Sequence, residues 1–133
     1  MNDVLIPVSA GELLDKITIL RLKAARMSDA QQLANVRLEL TLLEKTWTDI
    51  GGATTGLTAE EHALQGVNER LWDIEDRIRD KEARQLFDRE FIDLARAVYV
   101  TNDERAAIKK RINLQLGSRL VEEKLYKTYQ KTP

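Results

Sequence analysis

The chain has 133 residues, of which 43% are hydrophobic and 32% charged, and its formal net charge is −1. This composition is typical of a globular or coiled-coil protein, so we predict a single domain over residues 1–133. The absence of cysteine excludes disulfides, thiolate metal sites and cysteine nucleophiles, and a single histidine excludes a multi-histidine metal site within one chain.

The charges are distributed unevenly along the chain. Residues 1–104 contain 20 acidic and 13 basic residues, whereas residues 105–133 contain 8 basic and 2 acidic residues. We therefore distinguish an acidic body (residues 1–104) from basic C-terminal helices (residues 105–133). The longest uncharged run, residues 50–59, is far shorter than the about 20 apolar residues that span a membrane. With no basic region typical of a signal peptide at the start, we expect a cytoplasmic protein without a membrane span.

The first predicted helix has apolar residues on two faces. Ser9 and Glu12 match a capping box, which starts the helix at Ala10 and lets it run to about Met27. The main apolar stripe consists of Leu13, Ile17, Leu20, Ala24 and Met27, with Ile19 and Leu22 on the far side. Arg21 lies on the inner flank and would need a carboxylate partner if it were buried.

The second predicted helix shows the same two-faced pattern. It runs from Ala30 to about Ile50 behind a cap at Ser28 or Asp29. A coiled-coil-like heptad seam consists of Leu33, Val36, Leu40, Leu43, Trp47 and Ile50, with Leu38 and Leu42 on the opposite side. Because two apolar faces indicate burial on both sides, either later helices or a second copy of the chain should cover them. We expect a homodimer.

Three or four further helices follow a glycine-rich turn at residues 51–56. Residues 58–61 match a second capping box, which opens a third helix that runs to about residue 84. Asp88 is predicted to cap a fourth helix, and residues 101–104 to open a separate fifth helix that ends before Gly117. Ser118 is expected to cap a short final helix that reaches Tyr129. The fold class is therefore all-α, an antiparallel helical bundle of about five to six helices.

Two carboxylate pairs at helical i, i+3 spacing are candidate metal ligands. Asp73 and Asp76 form the first pair, and Glu90 and Asp93 form the second. Carboxylate oxygens are the ligands that Mg²⁺ and Mn²⁺ prefer. The pattern is similar to the Glu-x-x-Glu and Glu-x-x-Asp motifs of MazG-type nucleotide pyrophosphohydrolases, although the first pair here is Asp-x-x-Asp. The alternative is a solvated helix face with local ion pairs, because both aspartates lie opposite the apolar stripe of the third helix.

Basic residues near the C-terminus alternate with tyrosines. The candidate anion-binding residues are Lys109, Lys110, Arg111, Lys124 and Lys127, with Lys131 beyond them. Basic side chains interleaved with aromatic rings suit a nucleic-acid backbone and its bases, but a sequence pI of about 5.9 argues against a dedicated nucleic-acid-binding protein. The alternative is that this region docks on the acidic body of its own chain or of a second copy.

Several sequence blocks resemble a small uncharacterised bacterial family. The opening block, at residues 7–20, reads PVSAGELLDKITIL, and further blocks lie at residues 33–36, 68–76, 101–109 and 121–124. The resemblance covers nearly the whole chain. Members of that family tend to occur among genes for surface-polysaccharide assembly and glycosyltransferases. The resemblance therefore implies an accessory role in such a system, with a glycosyltransferase as the protein partner.

The polar residues of these blocks supply a candidate pocket. Its residues are Asp15, Lys16, Asp76, Arg77, Asn102, Asp103 and Arg105. Asp15, Asp76 and Arg105 have no capping role that would explain them. The alternative is a buried salt-bridge network that ties the first, third and fifth helices together.

Three functional hypotheses remain open on the sequence alone, and the third is an anion-binding role for the basic C-terminal region described above. The double-faced helices and the lack of a recognisable catalytic set favour a non-enzymatic helical interaction module that binds another protein. The alternative is a metal-dependent all-α enzyme that acts on nucleotides or nucleotide sugars through the carboxylate pairs.

Overall fold

The computed structural model describes residues 1–129, and within this range it contains four α-helices and no strand. They are α1 (Ala10–Arg26), α2 (Ala30–Asp49), α3 (Thr58–Ala83) and α4 (Arg89–Gln115), with one short 3₁₀ turn at Gly52–Thr54. The all-α prediction is confirmed, and the expected five to six helices exceed the four present. None of these four helices is long and apolar enough to cross a membrane.

Helix α1 is the centre of the bundle. It packs against each of the other three helices, while α3 and α4 form a long antiparallel hairpin and α2 contacts only α1 and the 3₁₀ turn. The fully buried apolar side chains are Leu14 and Ile17 of α1, Leu64 and Val67 of α3, and Ile112 of α4. The core therefore lies where α1 meets the hairpin.

Three of the predicted helix caps are confirmed. The side chains of Ser9, Asp29 and Asp88 each accept a hydrogen bond from the backbone N–H three residues later, as N-caps do. The predicted cap at Thr58 is wrong, because this residue is the first of α3 and Leu57 occupies the cap position without a side-chain hydrogen bond. Leu57 is buried in the core, so packing rather than capping fixes where α3 starts.

The predicted break between a fourth and a fifth helix is also wrong. Helix α4 runs without interruption from Arg89 to Gln115. Thr101, expected to open a new helix, is 6% exposed and lies inside α4. It is seven residues from Leu94 and seven from Ile108, both buried, so it occupies an inward position of one continuous stripe.

Helix α4 ends as expected, but no helix follows it. Gly117 has a φ of 63°, and the N–H of Ser118 donates to the carbonyl of Asn113 over 2.8 Å, which closes a Schellman motif. Residues 118–129, here called the C-terminal segment, are not helical. The hydroxyl of Ser118 donates to the carbonyl of Leu120 rather than capping a new helix. The predicted final helix is therefore wrong, and Lys131 lies outside the described residues.

Candidate functional site: a buried polar network and the pocket above it

A carboxylate with no exposed surface lies at the centre of the polar network. Asp15 of α1 is 0% exposed. Arg105 of α4 holds it with two hydrogen bonds, Nε to Oδ1 over 2.9 Å and Nη2 to Oδ2. Asn68 of α3 donates to Asp15 Oδ1 over 3.0 Å and to Thr18 Oγ1 over 2.9 Å. One buried carboxylate thus connects three helices, and the bidentate arginine supplies the charge that makes its burial tolerable.

A second cation extends this network to the C-terminal segment. Lys109 of α4 is 7% exposed, and its Nζ lies 2.6 Å from Glu12 Oε2 and 2.9 Å from Glu122 Oε2. Burial alone lowers the pKa of Lys109, but the hydrogen bonds to Glu12 and Glu122 outweigh it and raise that pKa. Lys109 therefore stays charged and joins the start of α1 to the C-terminal segment.

Helices α1 and α4 approach each other closely at Gly11. The N–H of Gly11 donates to Asn113 Oδ1 over 2.7 Å. A Cβ at this position would lie 2.6 Å from the carbonyl oxygen of Lys109, which is backbone of α4 and cannot move aside. Glycine is therefore required here for the two helices to bring Asp15 and Arg105 together.

A pocket of about 380 Å³ opens above the network, between α1, α3 and α4. Its lining residues are Ile19, Leu22, Asn68, Leu71, Trp72, Glu75, Asp76, Asn102 and Arg105. The apolar side is formed by the outer face of α1 and by α3, and the polar side by α3 and α4. This is where the second apolar face of α1 lies.

The structure brings together some members of the predicted polar pocket. Asp76, Asn102 and Arg105 line the pocket, and Asp15 lies directly beneath it on Arg105. The predicted salt-bridge network between helices is present in the contacts of Asp15. The pocket itself is a cavity that the sequence pattern could only suggest.

The other three members lie elsewhere. Lys16 is exposed on α1, and Arg77 pairs with Glu90 over 2.8 Å on the outside of the hairpin. Asp103 faces the C-terminal segment, where a hydrogen bond with its carboxylate raises the pKa of Tyr129. These residues are not part of one site with Asp15.

Sequence reasoning missed Asn68, Asn113 and Thr18, and it gave Glu12 only a capping role. Each of the three missed residues is at most 4% exposed and polar. Asn68 and Asn113 each follow a buried apolar residue of an inward stripe, Val67 and Ile112. A polar residue next to a buried position of an apolar stripe was therefore the sequence signal that could have identified Asn68 and Asn113.

The four candidate metal ligands do not converge. Asp73 pairs with Arg26 over 2.7 Å, Asp93 with Arg89 over 3.0 Å, and Glu90 with both Arg77 and Lys81. Within residues 1–129 no group of three or more acidic or histidine side chains is placed to hold a metal ion. The metal-dependent enzyme stays a prediction, and no contact of these carboxylates favours it.

The candidate anion-binding residues are also divided among different surroundings. Lys109 is buried on Glu12 and Glu122, and Lys110 lies 3.4 Å from Glu123. Lys124 stands 5.9 Å from the ring centre of Tyr126, and Lys127 lines a second pocket between α4 and the C-terminal segment. Arg111 lies on another side of α4, in a groove with α3. Of these contacts only that of Lys109 with Glu12 joins the basic region to the acidic body, since Glu122 and Glu123 belong to residues 105–133. Docking of the region on the acidic body stays a prediction.

Comparison with known proteins adds one match. A family model described as a family of unknown function matches residues 4–133, nearly the whole chain. No curated protein and no solved structure matches.

Proposed function

The chain belongs to the family of unknown function DUF6165, and from that premise we propose that it is a non-enzymatic helical accessory module that binds another protein through its N-terminal apolar segment. We define this segment as residues 4–8. Family membership assigns no activity, and the support for this role comes from the surface of the chain.

The observation that carries the proposal is the exposure of the N-terminal apolar segment. Val4, Leu5 and Ile6 are 77%, 91% and 70% exposed, and they are consecutive. Isolated exposed apolar residues are ordinary on a protein surface, but a contiguous group marks an interaction site. Pro7 favours an extended backbone before it, and Ser9 is fixed as the cap of α1. An extended apolar segment on a fixed anchor suits an apolar groove or an open sheet edge of a partner.

The buried ionisable groups support a role without proton transfer. Asp15 is held by Arg105, and Lys109 by Glu12 and Glu122. Lys81, also buried, is held by Asp88 over 2.8 Å and by Glu90 over 3.3 Å. A general acid or base must reach a substrate with a proton to give or accept. These groups instead hold helices and the C-terminal segment in place.

The partner class follows from the resemblance described above. Members of the resembling family occur among surface-polysaccharide genes, so a glycosyltransferase of the same gene cluster is the partner we propose. We also propose a cytoplasmic location, where such a transferase would meet the protein. We also propose a homodimer, in which a second copy covers Leu38 and Leu42 on the outer face of α2, which are 65% and 47% exposed.

The test is co-purification of the tagged chain with the neighbouring glycosyltransferase. We expect the double variant Leu5→Asp/Ile6→Asp to lose the partner while unfolding at the same temperature as the parent, because both side chains are exposed. Ile92→Asp/Val100→Asp is the matched control, since it adds the same two charges at exposed apolar residues of α4 that belong to neither proposed interface. Equal recovery of the transferase with the parent and the double variant would contradict the proposal.

A further inference from the structure

One buried side chain presents an unused acceptor to the pocket between α1, α3 and α4. Asn68 is 4% exposed, and its Nδ2 donates to both Asp15 and Thr18. Its Oδ1 has no hydrogen-bond partner among residues 1–129, although every fully buried polar side-chain atom in this range has one. Oδ1 is therefore accessible, and the pocket that Asn68 lines is the space it faces.

The charge at the rim of the same pocket is negative. Asp76 is exposed and makes no ion pair with any residue that the structure describes, and Glu75 is engaged by Arg79 over 3.2 Å. Arg105 is the cation among the lining residues, and its charge is compensated by Asp15 beneath it. A ligand at this rim thus meets two carboxylates, and the positive charge of Arg105 is compensated from beneath.

The remaining wall is apolar and includes an aromatic ring. Ile19 and Leu22 of α1 face Leu71 and Trp72 of α3 across the pocket. The guanidinium of Arg26 lies 5.5 Å from the centre of the Trp72 ring, within the distance at which an aromatic face attracts a cation. Arg26 also pairs with Asp73 over 2.7 Å, so its own charge is compensated where it lies against the ring.

We propose that this pocket binds a small organic cation, namely a primary ammonium group on a short aliphatic chain. The ammonium donates to Asn68 Oδ1 and to the Asp76 carboxylate, and the chain packs against Ile19 and Leu22. Three N–H donors on one centre match the amide oxygen of Asn68 and the carboxylate of Asp76, and about 380 Å³ accommodates such a molecule. The site is independent of the partner surface at residues 4–8, so failure of either proposal leaves the other intact.

The test titrates the ¹⁵N-labelled full chain with three probes of equal chain length: n-butylammonium, n-butanol and butyrate. We expect saturable shifts only with n-butylammonium, at millimolar concentration and low salt. The indole N–H of Trp72 should move, while that of Trp47, which lies on α2 and packs in the core, should not. Binding of butanol equal to that of n-butylammonium, preferential binding of butyrate, or no saturable shift with any probe would overturn the proposal.

A pair of exposed aspartates on α3 provides the matched variants. Asp76→Asn removes the unpaired charge at the pocket rim and should weaken n-butylammonium binding about three- to tenfold. Asp80→Asn removes the same charge one turn further along, where Asp80 pairs with Arg84, and should leave binding unchanged. Equal affinity in both variants would also overturn the assignment.

Discussion

Helices α1 and α2 have the same two-faced apolar pattern and lie in opposite surroundings. In α1, eight of 17 residues are buried, whereas in α2 only Val36 and Trp47 of 20 are. The difference follows from position, because α1 has three helical neighbours and α2 has one. A second apolar face therefore indicates that a helix is suited to further contact, and the topology of the chain decides whether that contact is made internally.

The polar residues of the two helices differ in the same way. Asp15 and Thr18 of α1 are buried and bonded to α3 or α4. On the outside of α2, Gln31 bonds to Asn35 and Lys45 to Asp49, one turn away within the same helix. The network of α1 specifies its neighbours, whereas the polar contacts of α2, apart from that of Glu44 with Arg21 of α1, support the helix itself.

The largest expected effect comes from removing the centre of the α1 network. Asp15→Ala leaves Arg105 without its carboxylate partner and removes one of the two hydrogen bonds that Asn68 donates, and it should lower the free energy of unfolding by about 3–5 kcal/mol in urea denaturation. Lys16→Ala, at the exposed neighbouring position, should change it by less than about 0.5 kcal/mol. A loss below about 1 kcal/mol for Asp15→Ala would mean that α1 is not held by this network.

A smaller effect is expected from the contact between α1 and α4. Gly11→Ala places a methyl group against backbone of α4 and should destabilise the fold by about 1–3 kcal/mol. Gly66→Ala in α3 is the matched control, since a Cβ there meets nothing within 4 Å. Alanine should stabilise that helix by about 0.5–1 kcal/mol. Equal effects of the two substitutions, measured by thermal unfolding, would contradict the close approach.

The attachment of the C-terminal segment to α1 should depend on pH. Because the pKa of Lys109 is raised in the folded state, its stabilising effect is fully present below its unfolded value of about 10.5. The effect is lost as the pH rises through the folded-state pKa. The difference in unfolding free energy between the parent and Lys109→Met should therefore shrink as the pH rises above about 10.5. A constant difference over this range would show that Lys109 is not held by its charge.

The smallest effect on stability is expected on the outer face of α2. Leu38→Lys/Leu42→Lys should leave the unfolding of the monomer nearly unchanged, because both side chains are exposed. In the homodimer we propose, the same change should convert the parent dimer to a monomer in light scattering at micromolar concentration. A monomeric mass for the parent would contradict the dimer and leave the outer face of α2 without a partner copy.

Local features of this fold were accessible from the sequence, and long-range features were not. The caps at Ser9, Asp29 and Asp88 each depend on an N–H three residues away. The requirement of Arg21 for a carboxylate is met by Glu44 and Glu61. The capping motif at residues 101–104 predicted a helix boundary that is absent. The same local pattern also occurs inside a continuous helix that tertiary packing stabilises.

The candidate site shows the same limit. Asp15 and Arg105 could be named because neither had a local explanation. Asp15 and Arg105 are 90 residues apart in the sequence, and Asn68 is 53 residues from Asp15. Both contacts depend on how α1 packs on the hairpin. No periodicity contains that information.

The position of Lys109 also has a topological consequence. Its ammonium joins Glu12 near one end of the chain to Glu122 near the other, and Pro7 and Val8 line a shared groove with Leu120 and Val121. The regions near the two ends of the described chain therefore lie close together. The four helices would keep their contacts in a circular permutant that joins these regions by a short linker and has its new termini in the turn at residues 51–56.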